Sequence, residues 1–158
     1  MHSGNIELAI ANYYDFRQNM IVPNVGYGLG IHECDLLIVR QSGYAIEVEI
    51  KISIADLKAD FNKTHGHRST KIKYLYYAIP EKLKEKALPL IPENAGLFIV
   101  KEESNYAICV KPAIQNKSAR KLSVEEIEQL GRLATMRIWN LKRTNHSLSE
   151  QNQKLRGR

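Results

Sequence analysis

Glu47, Glu49 and Lys51 alternate along the segment YAIEVEIKI (residues 44–52), so in an extended chain they project from one face while Ile46, Val48 and Ile50 take the other. The preceding apolar run, Leu36-Leu37-Ile38-Val39, opens with Glu33 and Asp35, and Ser42-Gly43 supplies a turn that folds it back beside the E-x-E-x-K row. Carboxylates that converge across adjacent strands repel one another, and a divalent cation neutralises them. Hard oxygen donors favour magnesium or manganese over zinc. A lysine two residues beyond a carboxylate lands on the same face, within reach of a water held by that cation. This is the equipment of phosphodiester hydrolysis: a cation polarises the phosphoryl oxygen and acidifies a water, and Lys51 orients or deprotonates that water and steadies the developing charge. The same alternation also describes a solvated sheet face with weak surface pairs. Position favours chemistry, because apolar strands are available on both sides of this one.

The elements that must hold these groups can be read from periodicity. Residues 5–18 carry Ile6, Ala9, Ile10, Tyr13 and Phe16 at helical spacing, and Met20-Ile21-Val22 begins an extended segment. Gly26, Gly28 and Gly30 break it, and no helix pattern follows them, so they form no phosphate cradle. The hairpin comes next, with strands over 33–40 and 44–52. Ser53 caps a helix that carries Ile54, Leu57 and Phe61 to about Lys63, with Asp56 and Asp60 read as cap and surface groups. KIKYLYYAI (residues 71–79) is a strand that Pro80 closes, and PEKLKEKAL a short helix. A second hairpin pairs 95–101 with 106–110, and a last helix runs from Ser123 through Leu141. This order predicts an α/β (α+β) domain, a mixed central sheet flanked by helices, over residues 1–145, followed by a basic, fraying tail over 146–158.

Asp35, a hairpin turn and Glu49-Ile50-Lys51 resemble the PD-(D/E)XK nuclease superfamily, whose signature is an acidic residue on one strand followed by (D/E)-x-K on the next. The resemblance covers residues 5–79 in the restriction-endonuclease-like core order α-β-β-β-α-β. EIKISIADLKADFNK, followed by KYLYYAIPEKL, is similar to small bacterial DNA-repair proteins of the MmcB-like type. Cys34 stands where the superfamily's eponymous proline would be. The resemblance implies an endodeoxyribonuclease dependent on Mg2+ or Mn2+, serving DNA repair, recombination or phage DNA processing. Asp35, Glu49 and Lys51 would be catalytic. Asp35, Glu49 and the Ile50 carbonyl would hold the metal, and Glu7 on the first helix matches a place where many members add an acid. Glu33 and Glu47 are further candidates for a second metal. Such a fold is often a homodimer when it cuts both strands.

Lys63, Arg68, Lys71 and Lys73 form a basic group read as phosphate-positioning, with DNA the expected partner. His65 and His67 beside them read as a polar loop, since two histidines without a third ligand do not make a metal site. Residues 1–109 hold twelve Lys+Arg against thirteen Asp+Glu, whereas 110–158 hold eleven against four, so the net charge of +6 belongs to the C-terminal third. Cys34 and Cys109 show no CxxC or Cys/His cluster, which excludes a disulfide scaffold and a cysteine zinc site. No apolar run approaches the roughly 18–20 residues of a membrane span, and Met1-His2-Ser3-Gly4 opens no secretory signal, so a cytoplasmic protein without membrane partners is expected. A catalytically silent nucleic-acid-binding module of the same fold is the alternative, and a structural or interaction protein with an exposed Glu/Lys strand is a third.

Overall fold

Among the described residues, six strands form one mixed sheet whose spatial order follows chain order. The structure, a computed structural model, describes residues 1–26, 30–62, 67, 69–102 and 106–156. The elements are α1 (Ser3–Tyr13), β1 (Met20–Val25), β2 (Cys34–Val39), β3 (Ala45–Ile50), α2 (Ile54–Asp60), β4 (Ile72–Pro80), α3 (Lys84–Ala87) between two 3-10 turns, β5 (Gly96–Val100), β6 (Ala107–Lys111) and α4 (Val124–Arg156). β1, β2 and β3 pair antiparallel, β3, β4 and β5 parallel, and β5 and β6 antiparallel. The predicted α+β architecture and both hairpins are present.

Gly43 makes the β2–β3 turn possible: its φ of +83° lies where a side chain would be strained, and its N–H donates to the Arg40 carbonyl at 2.8 Å. The parallel β3–β4 pair requires a crossover, which α2 supplies. Ser53 caps that helix by accepting the Asp56 N–H at 3.1 Å.

The two sheet faces bury different partners. Ile6, Ala9 and Ile10 of α1 pack with Leu36, Ile38, Ile46, Val48, Ile50, Phe98 and Val100. On the other face Leu57 of α2 joins Leu75, Tyr77, Ile79, Leu97 and Ile99. All six residues of β3 are buried, so the face that carries Glu47 and Glu49 lies inside the protein.

The chain divides into two compact units, Met1–Ser123 and Val124–Arg158. The division falls at 123 rather than at 145. Residues 146–156, expected to fray as a tail, continue the 33-residue helix α4. Leu148, Glu150, Gln151, Gln153, Lys154, Leu155 and Arg156 are good helix formers, and the stretch contains neither proline nor glycine, which sustains helix geometry. No helix among the described residues is long and apolar enough to cross a membrane.

Candidate functional site

The antiparallel register sets Leu37 against Glu47, and two residues along in each direction it brings Asp35 level with Glu49. Tyr77 of β4 lies level with Glu49 on the other side. The Ile50 N–H donates to Asp35 Oδ2 at 2.7 Å. Lys51 Nζ donates to Glu49 Oε2 at 2.8 Å, and stands 3.0 Å from Asp60 Oδ1 and 3.9 Å from Asp35 Oδ2. The side chains of Glu49, Asp60 and Lys51 are buried, whereas that of Asp35 is 39% exposed, which makes Asp35 the solvent-facing member.

A second constellation adjoins this one along β3. His32 Nε2 lies 2.7 Å and His67 Nδ1 2.6 Å from the same oxygen of Glu47, Oε1. His67 Nε2 lies 2.6 Å from Asp60 Oδ2, which also accepts the Tyr77 hydroxyl at 3.1 Å. Asp60 thus joins the Lys51 group to the histidine group. His67 sits at φ +52°, a left-handed conformation that costs a non-glycine residue roughly 1 kcal/mol or more.

These contacts set the protonation states. Burial works against the charge on Lys51, but Glu49 and Asp60 outweigh it and push the ammonium well above its ordinary value. In this arrangement Lys51 holds its proton and donates to Glu49. Burial and the Asp35 carboxylate raise Glu49, with Lys51 pulling the other way. Burial would also raise Glu47, yet its bonds to His32 and His67 leave it below the usual value. For His67, burial opposes the charge, and Asp60 and Glu47 together lift it to about 9.

No protein-family model and no curated protein sequence matches this chain. A solved structure does. The SPO1766 protein of unknown function from Silicibacter pomeroyi aligns over 94% of each chain with a TM-score of 0.65 at 18% identity. That likeness shows the fold, with the mixed sheet and its flanking helices.

Asp35, Glu49, Lys51 and Glu47, all predicted from strand alternation, are brought together. Glu7 on α1 is raised by partial burial and by the Asp35 charge, which places it within electrostatic reach of that carboxylate. Glu33 is exposed, and no hydrogen bond or ion pair joins it to the cluster among the described residues. Lys71 is half-buried, its ammonium close to Gly30, where a Cβ would stand 3.1 Å from Nζ. Lys73 places its ammonium 3.5 Å from the centroid of the Tyr44 ring, at the start of β3 and away from Lys51. It also lines a groove of about 730 Å3 together with His67, Asn94, Asn116 and Lys117. Lys63, His65 and Arg68 lie outside the described residues.

Asp60, His32 and His67 are the residues that sequence reading missed as site members. Asp60 was expected at the surface but is 2% exposed. The signal was its position three residues after Leu57, on the helix face that enters the core. His67 instead meets Glu47 of β3 and Asp60 of α2, 20 and 7 residues away in the chain.

Proposed function

We propose that this protein is a metal-dependent nuclease of the PD-(D/E)XK type that hydrolyses phosphodiester bonds in DNA, with Mg2+ or Mn2+ as cofactor, in the cytoplasm. The observation that carries the reading is the convergence of Asp35, Glu49 and Lys51, with Lys51 Nζ 2.8 Å from Glu49 Oε2. The donor set fits a hard cation: Asp35 and Glu49 are carboxylates on paired strands, and Asp35 opens the pair to solvent. When bound, such an ion would supply Lewis-acid polarisation of the phosphoryl oxygen and a more acidic water. Asp35 and Glu49 would hold it, while the protonated Lys51 donates toward charge that develops on the phosphoryl group. Lys73 and Lys117, which line the groove, offer cations to a polyanionic strand.

The test is incubation with single-stranded, nicked, branched and duplex DNA in Mg2+ or Mn2+. Asp35→Asn, at a half-exposed position, is expected to lower cleavage about a hundredfold or more while leaving folding intact. Cleavage that persists at the wild-type rate in Asp35→Asn sinks the assignment. The neutralisation of Lys51 by two carboxylates favours a second reading, a module that binds nucleic acid without cutting it. It expects binding that weakens steeply with salt and no cleavage with any divalent ion.

A further inference from the structure

Glu47 lies two residues before Glu49 on the same face of β3, but the atoms around it are of another kind. Two imidazole nitrogens, His32 Nε2 and His67 Nδ1, converge on one carboxylate oxygen, and the donor atoms of the three residues all lie within 4.8 Å of one another. The rings meet edge to face with centroids 5.0 Å apart. Glu47 is 0% exposed, and its other oxygen, Oε2, is buried with no hydrogen-bond partner among the described residues. An unsatisfied buried acceptor costs about 1–3 kcal/mol, and more when charged. Two nitrogens crowding one oxygen while the second stays bare is a poor way to satisfy a carboxylate. It suits three ligands that have closed on one another.

We propose that His32, Glu47 and His67 bind a borderline first-row divalent cation of the zinc class, at a site separate from the Asp35–Glu49 pair. Two imidazoles and a carboxylate select such an ion over magnesium or calcium. Asp60 supplies the supporting contact: its Oδ2 holds the outer nitrogen of His67 at 2.6 Å and is itself held by Tyr77, which fixes the ring with Nδ1 toward Glu47. Bonds of about 2.0–2.1 Å in a tetrahedral site set ligand atoms about 3.3 Å apart. Entry of the ion therefore spreads the present 2.6 and 2.7 Å contacts by roughly 0.6 Å. Bound there, it ties His32 and His67 to the middle of β3, beside the acidic pair.

The experiment is titration of the EDTA-stripped full chain with ZnCl2 alone, by calorimetry and by the absorption of the Co2+ form, with zinc X-ray absorption on the wild type. The expected result is one ion per chain with two imidazole nitrogens at about 2.0–2.1 Å. Affinity should fall at least about a hundredfold in His32→Ala and Glu47→Gln. Asp35→Asn should leave it unchanged. Absence of zinc binding by the wild type overturns the proposal. So does affinity that survives His32→Ala but is lost in Glu49→Gln, which puts the ion among Glu49, Asp60 and His67. If His32→Ala does not fold, as judged by circular dichroism, the wild-type absorption spectrum decides alone. The proposal is independent of the nuclease reading: a chain that binds zinc here and cuts no DNA retains it, and one that cuts with Mg2+ and binds no zinc refutes it.

Discussion

Replacing Lys51 by methionine tests what holds the buried carboxylates in place. The ammonium lies 2.8 Å from Glu49 and 3.0 Å from Asp60, whose side chains are 2% and 1% exposed, so neither can turn to water for solvation. Asp35, at 3.9 Å and 39% exposed, is screened and adds at most about 1 kcal/mol. Removing one partner of a buried ion pair costs about 3–5 kcal/mol, because the charge left behind is uncompensated. In the metal-free variant, Glu49 or Asp60 then escapes the cost by taking a proton. Its native pKa rises above the unfolded value, so the native state binds more protons and stability falls as pH rises through that window. Lys51→Met is therefore expected to lose about 3–5 kcal/mol near pH 8 and to regain about 1.4 kcal/mol for each pH unit descended within the window. The assay is urea unfolding in EDTA followed by far-ultraviolet circular dichroism. Adding Glu49→Gln should bring the variant back toward wild type, since a neutral amide needs no counter-ion. A loss below about 1 kcal/mol near pH 8, or a loss that does not change with pH, would refute the reasoning.

Three further outcomes follow from other contacts. Tyr77→Phe removes the buried 3.1 Å hydrogen bond to Asp60 and should destabilise by about 1.5–3 kcal/mol in urea melts, with no change in fold by circular dichroism. Gly96→Ala places a Cβ into the Tyr76 ring and 2.8 Å from the Ala113 nitrogen, where β4 and β5 pair; thermal melts should show a loss of about 1–3 kcal/mol. In metal-free protein, His67 is lifted from its ordinary 6.5 to about 9, so its contribution is fully present below pH 6.5 and is lost as pH rises through about 9. The stability difference between wild type and His67→Gln should shrink over that interval in urea titrations.

Much of the site was legible because its carriers obey short periods. Glu47, Glu49 and Lys51 share a face by simple alternation, and the Ser42-Gly43 turn fixed which residues of the partner strand would stand opposite, placing Asp35 level with Glu49. The order of elements from α1 to β4 was readable for the same reason. Residues 146–156 are polar enough to suggest a fraying tail, yet their helix propensity carries α4 on to Arg156.

Residue types and their local spacing determined that a carboxylate–lysine row would exist and that Asp35 would flank it. Only the tertiary structure decided how buried that row is and what else meets it. The α2 crossover between β3 and β4 packs Leu57 into the core and carries Asp60 in beside Lys51. The segments before β2 and before β4 deliver His32 and His67 to Glu47 from 15 and 20 residues away. Periodicity relates residues within one strand or helix, whereas residues 32, 47, 60 and 67 become neighbours only through chain reversals and a crossover. That is why a face read as acidic with a single lysine proved, once folded, to hold imidazoles as well.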